Sequence, residues 1–196
     1  IPEASLRLIK GSGVDIGHFT VQPEPHGGAT RFLVLGRLLF MKGVQVAVEA
    51  HKILRARAIE AELVFAGGQD EGNPSSIPAE AIAAWATLPG IRFLGPLGDV
   101  RTVIAASHAV VHPALGGEGL PKALLEAAAS GRAMVATDVP GNREIVVNGE
   151  TGILVPPNDA AALADAMARI AQDGALRQHW GHTARVKVER EFSAPL

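Results

Sequence analysis

The chain has 196 residues, 47% hydrophobic and 19% charged, proportions that exclude a disordered chain and suit one α/β domain. A formal net charge of −2 excludes a dedicated binder of nucleic-acid polymers, which needs a basic excess against the phosphates. With no cysteine there are no disulfides, thiol nucleophiles or cysteine-ligated zinc, and no apolar run approaches the roughly 20 residues of a membrane-spanning helix.

Apolar, β-branched runs alternate with helical patterns, the signature of a parallel sheet covered on both faces. Residues 6–9 read as a first strand, and 20–28, with Pro23, Pro25 and a Gly-Gly pair, as a surface loop. A strand is predicted over 31–36. The helix after it, over 43–57, brings Val44, Ala47, Val48, His51 and Leu54 to one stripe. A strand over 63–66 precedes a polar loop, 69–78, and another strand is predicted over 91–94. Asp99 is a good N-cap for a helix over 99–107, which leads into a strand over 109–112. The next helix, 121–130, has Pro121 in its first turn and Gly131 just beyond its end. Strands over 133–137 and 153–155 follow. Asn158 and Asp159 then open an alanine-rich helix over 159–172, and a helical tail surrounds Trp180. The chain opens at Ile1, which reads as an excised piece of a longer protein.

Two stretches can carry chemistry. Gly36-Arg37-Leu38-Leu39-Phe40-Met41-Lys42-Gly43 leaves a strand and enters a helix, at the carboxyl end of a parallel strand, where open α/β sheets bind ligands. Two cations flanking a helix N-terminus add fixed charge to unpaired backbone N–H groups, which suits a diphosphate; the plainer alternative is a solvated turn. The second stretch runs from Gly116 to Glu126 after a buried strand. Its glycines let backbone approach a ligand, and Glu118 and Glu126 are roughly 12 Å apart along a helix axis. Each carboxylate can accept two hydroxyl hydrogen bonds, as a sugar or ribose ring offers. Alternatively Glu118 favours the helix dipole and Glu126 is exposed. Its neighbours Leu124, Leu125, Ala127 and Ala128 point to partial burial, and a buried carboxylate needs partners.

Gly36-Arg37 through Lys42-Gly43, then Glu118-Gly119-Leu120-Pro121 with Glu126 eight residues on, resemble the donor-binding domain of glycosyltransferase family 4, the group 1 glycosyltransferases. Gly11-Ser12-Gly13-Val14-Asp15 with Phe19 resembles the same family, as do Val135–Gly141 with 143–146, and 152–157 with Asp159. The form Gly-Ser-Gly-Val-Asp, together with the run from Gly68 to Pro74, is similar to a branch that builds capsules and lipid-linked oligosaccharides. The resemblance implies an α/β fold, a Rossmann-like parallel sheet with helices on both faces. It would form the C-terminal half of a two-domain, retaining GT-B enzyme, with the acceptor-binding domain absent from this chain. By the same match Arg37 and Lys42 grip the donor pyrophosphate. Glu118 orients the transferred sugar, with Gly119, Leu120 and Pro121 beside it, and Glu126 binds the ribose. Gly95 and Leu97 flank a segment that holds the base through main chain, and Gly68 lines the phosphate end.

The implied donor is a nucleotide sugar of the UDP type, with no metal and no other cofactor. The implied acceptor is lipid-linked or saccharide, reached through the other domain at the cytoplasmic face of a membrane, with peripheral association. Two places depart from the family pattern: Ala114-Leu115-Gly116-Gly117 before the first glutamate, and Arg132 in a turn that usually carries proline one residue later. A nicotinamide dehydrogenase is rejected because 11–17 has the wrong glycine spacing. A nucleotide-sugar epimerase or hydrolase would want a general acid or base here, and the isolated piece is expected to bind donor without transferring it. Among the seven histidines, His112 at a strand end beside the cleft is the best placed.

Overall fold

A computed structural model of the chain describes residues 13–117 and 119–193; the expected strand over 6–9, Gly11, Ser12 and Glu118 lie outside them. In chain order the elements are β1 (Thr30–Leu35), a 3-10 turn (Phe40–Lys42), α1 (Val44–Ala56), β2 (Ala61–Ala66), α2 (Ala79–Ala86), β3 (Ile91–Phe93) and α3 (Arg101–Ala105). There follow β4 (Ala109–His112), α4 (Lys122–Ala129), β5 (Ala133–Thr137), α5 (Pro140–Ile145), β6 (Gly152–Val155), α6 (Ala160–Gln172) and α7 (Gly174–Glu191). The strands form one sheet in the order β3-β2-β1-β4-β5-β6, and every pairing is parallel. The expected Rossmann-like sheet is therefore present. Its order reverses between β1 and β4, the switch point at which such sheets open a crevice.

Alternation along each strand divides the core. Phe32 and Val34 of β1 and Leu63 and Phe65 of β2 pack with Ala47, Leu54, Leu163 and Met167 from α1 and α6. Leu33, Leu35, Val64 and Ala66 point to the other face, against Ile104, Leu124, Leu125 and Ile145 from α3, α4 and α5. α7 serves both faces, with Trp180 in the first cluster and Ala184 and Val188 in the second. The expected loop over 69–78 is followed by α2, which no cap or stripe marked in the sequence; Ile82 and Trp85 pack partly buried on the first face. Asp99 stands one place before the cap of α3, which Val100 holds, yet its carboxylate still accepts the Arg101 N–H at 2.9 Å. Asp159 caps α6 as expected, accepting from the Ala162 N–H.

Three arginines strap the entering segment to the body. Arg185 donates to the Ile16 and Phe19 carbonyls, and Arg177 pairs with Glu24 at 2.8 Å in near-complete burial. Arg132, in the turn where the family pattern has proline one residue later, is buried and donates to the carbonyls of Gln22, Pro23, Ile104 and Ala105. Its planar fork satisfies carbonyls of two segments distant in the chain.

His51 on α1 is fully buried, and its Nε2–H donates to the Ala61 carbonyl at 2.9 Å while Nδ1 has no partner. Burial holds its pKa below the ordinary 6.5, and burial does the same to His108. Both therefore bind a proton more weakly folded than unfolded, so stability present above about pH 6.5 is lost as the pH falls below it. Melting at pH 7.5 and 5.5 is expected to show a drop that H51Q reduces, since glutamine can donate to Ala61 without a site to protonate. An equal drop in H51Q would remove His51 as a source.

Candidate functional site

The segment leaving β1 is fastened to the one leaving β2. The Gly36 N–H donates to the Ala66 carbonyl at 3.0 Å and the Leu38 N–H to the Gly68 carbonyl at 2.9 Å. Arg37 between them projects outward and pairs with Asp70 at 2.5 Å. Asp70 is held below the usual carboxylate range, first by the Asn73 amide and then by Arg37. Lys42 ends the 3-10 turn rather than opening α1, and Gly43 makes the junction with φ 69°. That glycine presses on the Pro113 carbonyl after β4, and Leu115 N–H donates to the Met41 carbonyl at 2.8 Å, so the loops of β1 and β4 lie side by side.

From the other side α4 brings Glu126, 8% exposed, over the end of the sheet. Burial raises its pKa above the ordinary value, and Lys122 one turn earlier, at 3.7 Å, offsets part of that rise. Arg37, Lys42, Gly68, Leu97, Pro121 and Glu126 line one hollow of about 350 Å³, and buried His112 forms part of its wall. Residues far apart in the sequence are thus gathered where the strand order reverses between β1 and β4.

Of the other expected residues, Gly95, Gly119 and Leu120 stand outside this lining. The Gly95 carbonyl accepts the Gly67 N–H at 2.9 Å, fixing the loop that carries Leu97. Leu120 packs partly buried on the second core cluster, and Gly119 has open space around it. Glu118 lies outside the described residues. Sequence reasoning missed Asp70 and Lys122. The i,i+4 spacing of Lys122 and Glu126 was the available signal for one; nothing local marked the pairing of Arg37 with Asp70, which is made across two loops. Among the described residues no group of three or more His, Asp or Glu side chains is placed to hold a metal ion, and no helix is long and apolar enough to cross a membrane.

A cleft of this kind can grip an anion with Arg37 and Lys42 and hydroxyl groups with Glu126. A family model described as glycosyl transferases group 1 matches residues 29–173. The phosphatidyl-myo-inositol mannosyltransferase of Mycolicibacterium smegmatis is 35% identical over 186 residues, 91% of this chain and 46% of that protein. The glycogen synthase of Mycobacterium tuberculosis is 32% identical over 192 residues, 96% of this chain and 45% of that protein. Among solved structures, Anabaena HepE in complex with UDP and glucose superposes with a TM-score of 0.80 at 19% identity, over 92% of this chain and 51% of that one, a likeness of fold. The chain spans about half the length of the curated relatives it matches.

Proposed function

The chain belongs to the group 1 glycosyltransferases, and from that premise we propose that residues 1–196 are the donor-binding half of a retaining enzyme that takes a UDP-sugar. The carrying observation is the shared hollow at the sheet's switch point, lined by Arg37, Lys42 and Glu126. In this reading Arg37 and Lys42 neutralise the departing diphosphate, where negative charge grows as the glycosidic bond breaks. Glu126 accepts the two ribose hydroxyls and so sets the nucleotide's register along the cleft. Glu118 orients the sugar, and the leaving phosphate helps remove the acceptor proton on the same face, giving retention. The sugar passes to a lipid-linked or saccharide acceptor held by a further domain. HepE's complex with UDP and glucose supports the donor class. The lipid named for the mycobacterial mannosyltransferase supports the acceptor class, as glycogen supports a saccharide.

Calorimetric titration with UDP tests the assignment. Glu126→Ala is expected to weaken binding by about 1–3 kcal/mol, since it removes a buried acceptor of two hydroxyls. Unchanged affinity would take the ribose role from Glu126.

A further inference from the structure

Lys122 stands where local rules oppose a cation. It is the first residue of α4, at the positive end of the helix dipole, and no acidic residue shares that first turn. Its ion pair with Glu126 runs in the less favourable order, base before acid, and at 3.7 Å is longer than a hydrogen bond. The Lys122 side chain is 78% exposed and that of Glu126 11%, so a mobile ammonium meets a fixed carboxylate. The pair also borders two hollows. One, of about 350 Å³, holds Arg37 and Lys42; the other, of about 510 Å³, reaches Asp15 and Asp99.

We propose that Lys122 is a third phosphate-binding cation, which leaves Glu126 for the donor's diphosphate as the ribose hydroxyls take its place on the carboxylate. This rests on the donor reading above. Charge distribution favours it. Arg37 shares its charge with Asp70 at 2.5 Å, which weakens its field on a diphosphate. A lysine turned from Glu126 adds to that field, and its flexible four-carbon stem lets Nζ move while the backbone stays still. Glu126 meanwhile exchanges one loose ionic contact for two hydroxyl donors. A cation that disfavours the helix start is thereby explained by the anion it meets.

The experiment titrates wild type, K122Q and K122R with UDP and with uridine, and melts each protein. K122Q is expected to bind UDP about tenfold more weakly. It should bind uridine at least as tightly as wild type, because Glu126 has lost a competing cation. It should melt close to wild type, because the relief at the positive end of α4 offsets the lost contact with Glu126. K122R should keep UDP affinity within about threefold, retaining the charge. Unchanged UDP affinity in K122Q, or equal losses for UDP and uridine, would overturn the role of Lys122 and leave the donor reading intact. A wild-type chain that binds no UDP overturns both.

Discussion

Replacing Arg37 and Lys42 together by alanine is expected to weaken UDP binding about a hundredfold while uridine affinity stays within about twofold. The two ligands differ only in the diphosphate, so the ratio of their affinities isolates the phosphate grip from the hold on ribose and base. Both cations line the hollow that contains Glu126, but neither supports the core: the Arg37 side chain is 61% exposed, and Lys42 closes a surface turn. Asp70 keeps the Asn73 amide as a partner once Arg37 is gone. The interaction is ionic and partly exposed, so added salt should weaken UDP binding by wild type more than by the double variant. Equal losses for UDP and uridine would point instead to a disturbed loop. UDP affinity left at the wild-type value in the double variant would remove both residues from the phosphate site.

Gly43→Ala is expected to destabilise the protein by about 3 kcal/mol, lowering the melting temperature by roughly 10 °C. Two costs combine. The residue's φ of 69° is one that side chains rarely adopt, and an added Cβ would stand 1.9 Å from the Pro113 carbonyl oxygen and 2.7 Å from its carbon. Those atoms are backbone at the exit of β4, so relief requires the two loops to part. Their contact holds Lys42 over the cleft, and the variant should lose UDP affinity even at temperatures where it remains folded. Gly98→Ala is the control: that glycine has an ordinary φ and nothing within 4 Å of the added carbon, and its melting should move within about 0.5 kcal/mol of wild type. A Gly43→Ala protein that melts like the control would show that close approach at Pro113 does not hold this corner.

How much of this was legible in the residues can be seen element by element. The alternation Phe32-Leu33-Val34-Leu35 marks a strand buried on both sides, because neighbouring side chains of a strand point to opposite faces. The stripe of Val44, Ala47, His51 and Leu54 marks α1 for the equivalent reason at helical period. Arg37 and Lys42 at a strand's end, and Glu126 among apolar neighbours, were recognisable because chemistry at a strand-to-helix junction departs from the apolar pattern on either side. α2 left no such mark: its alanines favour helix, but no capping side chain fixes its start, and it is held by Ile82 and Trp85 against a core built from other segments.

By itself, then, the sequence determined the class of fold, the faces each element buries, and which side chains could bind an anion or a sugar hydroxyl. Those properties are periodic or local, and short-range sterics and hydrophobicity decide them. The tertiary structure alone decided that β1 lies between β2 and β4, which opens the cleft where Arg37, Lys42 and Glu126 meet. It alone paired Arg37 with Asp70 and buried Arg132 against four carbonyls of two distant segments. Such contacts join residues far apart in the chain, and their partners are chosen by the packing of the whole sheet rather than by any pattern within reach of one element.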